Sequence, residues 1–79
     1  MQTLFVGGLP SSASEELLRV LFTQYGAISK MRIAKSDDTG ECRGFGYVTF
    51  EQSRDALRAR SELNGTTHDG IELRVDLAK

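Results

Sequence analysis

The stretch of sequence that decides the fold is Arg43-Gly44-Phe45-Gly46-Tyr47-Val48-Thr49-Phe50. Its aromatic and β-branched residues predict a strand, in which successive side chains point to opposite faces of a sheet. One face then carries both glycines, Val48 and Phe50, which predicts a buried face that a helix approaches closely. The residues on the opposite face are Arg43, Phe45, Tyr47 and Thr49. The stretch therefore predicts a sheet with a core on one side and aromatic rings on the other.

A segment near the start of the chain repeats this pattern. Residues 3–7 are β-prone and end at a pair of glycines, so we predict a strand there. By the same alternation its Leu and Val face the core, whereas Phe5 joins Phe45 and Tyr47 on the open face. That face would hold half of the chain's four Phe and two Tyr. Because an exposed ring forgoes roughly 1.5–3 kcal/mol of burial, the rings require a ligand, or a tail, loop or second subunit that covers them.

The intervening segments predict two helices and two further strands. These elements are helices at about residues 15–25 and 54–63, and strands at about 28–34 and 73–77. Asp69-Gly70 indicates a turn at the tip of a short hairpin. In the last strand, Leu73, Val75 and Leu77 are expected to face the core, which leaves Arg74 and Asp76 on the open face. The order β-α-β-β-α-β is typical of the ferredoxin-like α+β sandwich, with two helices on one face of a four-stranded antiparallel sheet.

Basic residues surround the predicted ring cluster. Lys30, Arg32 and Lys35 lie in or just after the second strand with no acid among them, and Arg43 begins the third. Bases stack on aromatic rings for about 1–3 kcal/mol each, and cations pair with phosphates, so this arrangement suits single-stranded nucleic acid. The net charge of −1 argues against binding by bulk electrostatics but leaves room for a local basic patch.

Two motifs make the sequence similar to a known family. Residues 43–50 match every position of the RNP1 octamer, K/R-G-F/Y-G/A-F-V-x-F/Y, when Tyr is accepted for Phe at the fifth. Residues 4–9, Leu-Phe-Val-Gly-Gly-Leu, resemble the RNP2 hexamer, with Gly8 where many members have Asn. The chain therefore resembles an RNA recognition motif domain over essentially its whole length. One departure is Arg60, where members usually carry an apolar residue; we expect its stem along the core edge and its head in water.

The resemblance implies a role for each residue of the open face. Phe5 and Tyr47 would stack on bases, Phe45 would contact sugars, and Arg43 would pair with the phosphate backbone. Base-edge positions of the family correspond here to Arg32, Arg74 and Asp76. With Lys30, which flanks the rings, these residues form the predicted RNA-binding site.

Length and composition narrow the class of protein. A chain of 79 residues predicts a single domain over 1–79 without a deep substrate cavity. The single Cys42 and single His68 show no metal-ligand spacing and are expected at the surface or at an edge; we expect no metal and no cofactor. Without disulfides, a secretory signal or a long apolar run, the sequence predicts no membrane partner and an intracellular protein. It would be cytoplasmic if bacterial, and nuclear or cytoplasmic if eukaryotic.

These features bear on three classes of function. The favoured one is a module that binds single-stranded RNA, with single-stranded DNA left open, and that acts as a monomer. The alternative is a protein–protein interaction module that uses the same aromatic face, although such variants often replace the RNP aromatics. Catalysis is not expected, because the sequence shows no nucleophile–base pair, metal-ligand spacing or phosphate-binding loop.

Overall fold

The computed structural model describes residues 1–68 and 70–78. Its elements are β1 (Gln2–Gly7), α1 (Glu15–Phe22), β2 (Ile28–Lys35), β3 (Cys42–Phe50), α2 (Ser53–Leu63), β4 (Thr67–His68), β5 (Ile71–Glu72) and β6 (Arg74–Leu77). The long strands form one antiparallel sheet in the order β2-β3-β1-β6, and β4 pairs with β5 as a separate small hairpin. This architecture confirms the predicted ferredoxin-like α+β sandwich. The predicted turn residue Asp69 lies outside the described residues.

The core fills the space between the two helices and one face of the sheet. The alternation predicted for β1 and β3 is confirmed, because Leu4, Val6, Val48 and Phe50 are all fully buried. The ring of Phe22 on α1 meets that of Phe50 edge-on, with 6.3 Å between the ring centroids. Within the described residues the buried set contains no polar or charged side chain. These buried residues form one hydrophobic cluster, in which residues of both helices pack with residues of the sheet.

The first helix is shorter than predicted. It ends at Phe22, and the chain continues as a 3₁₀ turn over Thr23–Tyr25. Helical spacing cannot separate these two, because a 3₁₀ turn often ends an α-helix and its side chains follow nearly the same face. Among the described residues, neither helix is long and apolar enough to cross a membrane.

The surface or edge position predicted for Cys42 is wrong. Cys42 is only 7% exposed and packs in the core at the start of β3. Its Sγ accepts a hydrogen bond from the backbone N–H of Gly44, with 3.3 Å between the two atoms. Cysteine behaves as a small apolar residue when it is buried, so sequence spacing gave no warning. His68 is half-buried in β4, with Nε2 3.0 Å from Oγ1 of Thr66.

Glycine is needed at the two glycine positions of β3 for different structural reasons. A Cβ at Gly46 would lie 3.3 Å from Cδ1 of Leu18 on α1, so this glycine admits the helix as predicted. A Cβ at Gly44 would meet no helix atom within 4 Å. Gly44 instead has a φ of +102°, a conformation that side-chain-bearing residues rarely adopt. The predicted helix approach is thus wrong at Gly44 and confirmed at Gly46.

The last strand begins one residue later than predicted. Leu73 and Val75 are buried, in agreement with the prediction, but Leu77 is 38% exposed. Leu77 pairs with Leu4 and so lies on the core side, yet β6 is an edge strand and the helix layer covers it incompletely. Its predicted burial is therefore only partial.

Candidate nucleic-acid interface

Three aromatic rings pack together on the face of the sheet that the helices leave uncovered. Phe5 stacks against Phe45 with 5.9 Å between centroids and 26° between planes. The Tyr47 ring meets both of them edge-on, at 5.9 Å from Phe5 and 6.1 Å from Phe45. We call these three residues the aromatic platform. Tyr47 is 37% exposed and the two phenylalanines are half-buried, so the rings cover one another in part.

The strand register brings the platform together. Phe5 on β1 lies directly opposite Tyr47 on β3, and Gly7 lies opposite Phe45. A Cβ added at Gly7 would come within 2.9 Å of Cε2 of Phe5. The missing side chain at Gly7 therefore lets the Phe5 ring lie over the position that faces Phe45. Sequence reasoning missed this role, although strand alternation already places Gly7 on the open face.

Arg43 contacts the platform at one end. Its Cζ lies 5.9 Å from the centroid of the Phe45 ring, within the range of a cation–π contact. The side chain is exposed, so its donors also reach solvent. A phosphate group beside Phe45 would meet a cation that the ring already orients.

The β2 side of the platform is polar and basic. Arg32 lies opposite Tyr47, and Lys30 opposite Thr49 after an irregularity in the register. These residues line a shallow cleft of about 180 Å³ together with Thr3, whose hydroxyl lies 2.7 Å from that of Thr49. Within the described residues, no carboxylate lies within 4.0 Å of a charged nitrogen of Lys30, Arg32 or Arg43. Their charges are available to an anion.

The β6 side carries one cation and one anion. Arg74 lies opposite Gly7, and Asp76 lies opposite Phe5. Asp76 also forms an ion pair with Arg60 on α2, with 3.1 Å between Oδ1 and Nε. The structure thus brings all eight predicted site residues to one face of the sheet. Arg60 is exposed, as expected, and its head also pairs with Asp76, which the sequence did not predict.

The helix layer behind the sheet has a different electrostatic cluster. Burial raises the pKa of the Tyr25 phenol above its ordinary value, and Glu62 raises it further, while Arg58 opposes the shift. Arg58 lies over the Tyr25 ring at 5.7 Å and pairs with Glu62 at 3.1 Å. Among the described residues, no group of three or more His, Cys, Asp or Glu side chains is arranged to hold a metal ion. Across the part of the chain that the structure describes, the open face carries rings and cations, with Asp76 as the one carboxylate at its edge.

Comparison with known families and proteins agrees with this geometry. The RNA recognition motif family matches residues 4–74. RNA-binding protein 28 of Homo sapiens is 44% identical over 77 residues, which is 98% of this chain and 10% of that protein. This chain therefore spans about a tenth of the length of that relative.

Two solved structures are similar along the whole chain. The crystal structure of RNA binding protein PG1 superposes with a TM-score of 0.94 at 38% identity, covering 99% of this chain and 94% of that chain. A complex of the Sxl-lethal protein with RNA superposes with a TM-score of 0.93 at 33% identity. In that comparison 99% of this chain and 47% of the other are covered.

Proposed function

The chain belongs to the RNA recognition motif family, a family of RNA-binding domains and not of enzymes, and we propose that it binds single-stranded RNA on its open sheet face. The observation that carries the proposal is the aromatic platform, three rings in mutual contact on an uncovered face with Arg43 over one of them. A ring that packs on its neighbours keeps one surface toward solvent, and a base fits against that surface. We propose further that residues 1–79 act as one binding unit.

Each part of the face takes a different part of the nucleotide. In the proposal Phe5 and Tyr47 stack on two bases, and Phe45 between them packs against sugars. Arg43 pairs with a phosphate at one end of the platform. The polar residues beside the rings contact base edges and further phosphates; they are Lys30, Arg32, Arg74 and Asp76. This mixture of ring and polar surface on the protein suits an unpaired strand, because the bases of such a strand are free to stack.

The energetics favour weak to moderate affinity. Two or three stacked bases contribute roughly 2–9 kcal/mol before ordering costs. Those costs include the immobilised nucleotides and the long side chains of Lys30 and Arg32, which are exposed. A face of this size accommodates two to four nucleotides. The relative solved as a protein–RNA complex supports RNA as the ligand.

The proposal is tested by removing the two stacking rings together. Titrating short single-stranded RNAs into the Phe5→Ala/Tyr47→Ala variant should show affinity reduced by roughly thirtyfold or more, because two stacking contacts are lost. Leu57→Ala, on the exposed surface of α2, is the matched control and should bind as the unsubstituted protein does. Unchanged affinity in a folded double variant would show that the platform is not the RNA site.

Two further measurements test the preference for RNA over DNA and the monomeric state. We propose RNA as the preferred ligand, so single-stranded DNA of the same sequence is measured alongside. Light scattering at rising protein concentration should show a monomer. Self-association that RNA suppresses would instead favour the protein–protein interaction module, since self-association and RNA binding would then compete for the platform.

The buried free thiol of Cys42 fits the reducing intracellular compartment that we propose for the protein.

A further inference from the structure

Asp76 is an acidic residue on a face that is proposed to bind a polyanion. Of the residues that the structure describes, it is the one carboxylate that strand alternation places on the open face. It lies directly opposite Phe5 in the β1–β6 pair, and side chains in such positions have Cβ atoms about 4.5–5.5 Å apart. A base stacked on Phe5 would therefore have one edge next to this carboxylate.

The Asp76 carboxylate is held through one of its two oxygens. Oδ1 accepts a hydrogen bond from the backbone N–H of Leu77 at 2.8 Å and lies 3.1 Å from Nε of Arg60. Within residues 1–68 and 70–78, Oδ2 has no hydrogen-bond partner. The two contacts therefore orient the group and leave one acceptor oxygen for a ligand.

Arg60 reaches Asp76 from the opposite layer of the fold. It belongs to α2, behind the sheet, and its head passes the edge strand β6 to meet the carboxylate. An open cleft of about 450 Å³ follows this edge, and both Phe5 and Arg60 line it. The cleft connects the platform to the helix layer, so Arg60 touches the margin of the proposed binding face without being part of the sheet.

We propose that Asp76 reads the base stacked on Phe5 and that Arg60 is a positioning residue for this readout; the inference rests on the proposed RNA binding. A single carboxylate oxygen only accepts hydrogen bonds. The exocyclic amino groups of cytosine, adenine and guanine donate to it. Uracil offers one N–H between two carbonyl oxygens, and these repel the carboxylate. The preferred base at this position therefore carries an amino group.

The ion pair also makes an acid tolerable on this face. An unpaired carboxylate would repel the phosphates of a bound strand, whereas the guanidinium of Arg60 offsets its charge at 3.1 Å. Loss of Arg60 would thus affect both the orientation of Asp76 and its charge balance. The two effects can be measured separately. A change in the orientation of Asp76 alters base preference, whereas a change in charge balance alters the affinity for every RNA sequence.

The experiment measures base preference directly. The probes are a uridine pentamer and the five pentamers with one cytosine, which replace a carbonyl by an amino group at one position each. In the unsubstituted protein, cytosine at one position should improve affinity roughly three- to tenfold over uridine. Asp76→Asn should abolish that ratio, and Arg60→Gln should lower it roughly two- to fivefold. Arg58→Gln, on the same helix but paired with Glu62, is the matched control and should keep it.

Each outcome decides one part of the inference, provided circular dichroism shows that the variants are folded. A ratio that survives Asp76→Asn overturns the readout by Asp76. A ratio lost in Asp76→Asn but unchanged in Arg60→Gln overturns the positioning role. Pentamers that all bind equally well to the unsubstituted protein also overturn the inference, while RNA binding itself stands. No measurable binding of any pentamer contradicts the proposed function instead.

Discussion

Gly7 shows how a residue without a side chain shapes the proposed site. It lies on the open face opposite Phe45, and the Phe5 ring occupies the space that its side chain would fill. Three atoms are near this space: Cε2 and Cζ of Phe5 and Cβ of Arg74. The stacked arrangement of Phe5 and Phe45 thus depends on the strand residue two positions after Phe5. Gly7, at the end of β1, therefore shapes the platform although it contributes no ring to it.

Gly7→Ala should weaken RNA binding more than it weakens folding. The new methyl group would displace the far end of the Phe5 ring, which is free to rotate toward solvent. The stacked pair with Phe45 would then be lost, and affinity for short RNAs should fall roughly three- to tenfold. Fluorescence anisotropy measures the affinity and thermal unfolding measures the stability. An unchanged affinity would show that the ring geometry seen here is not required.

At the scale of elements, β3 separates two functions by alternation. Its buried side accepts α1 and its open side carries two of the platform rings. Gly46 on the buried side is close to the backbone as well as to the helix, because an added Cβ would lie 2.6 Å from the carbonyl oxygen of Arg32 on β2. Neither the Arg32 carbonyl nor the side chain of Leu18 on α1 is easily moved, since the first is backbone and the second is packed in the core.

Gly46→Ala should therefore act in the opposite way to Gly7→Ala. Overpacking between β2, β3 and α1 should lower the free energy of unfolding by about 1–3 kcal/mol. Chemical denaturation measures this, with Gly7→Ala as the control that adds the same methyl group to the other face. Equal losses of stability in the two variants would contradict the difference between the faces.

The alternation of β1 and β3 was enough to predict the core face and the open face of the sheet. It could not give the end of α1, because α-helical and 3₁₀ turns share their apolar spacing. It also missed the exposure of Leu77, which depends on how far the helix layer extends over an edge strand. The pairing of Arg60 with Asp76 joins two layers that are distant in sequence, and only the tertiary structure brings them within 3.1 Å.

At the scale of the whole molecule, the net charge of −1 conceals a separation of charges. Lys30, Arg32 and Arg43 lie on the open face without carboxylate partners among the described residues. On the helices, acids pair with bases, as Glu16 does with Arg19 and Glu62 with Arg58. The total charge is therefore a poor guide to what a phosphate would meet at the platform. Binding should depend on stacking and a few local ion pairs.

This balance predicts a shallow salt dependence. With two or three phosphates neutralised, the plot of log K against log salt should have a slope of roughly −1.4 to −2.1, since each contact to a single strand contributes about −0.7. Removing one contact with Arg43→Gln should make the slope shallower by about 0.7, whereas Arg58→Gln on the helix layer should leave it unchanged. Anisotropy titrations at several salt concentrations give both slopes. A slope much steeper than −2 would mean that phosphates outside the platform dominate, and an unchanged slope in Arg43→Gln would remove that residue from the phosphate contacts.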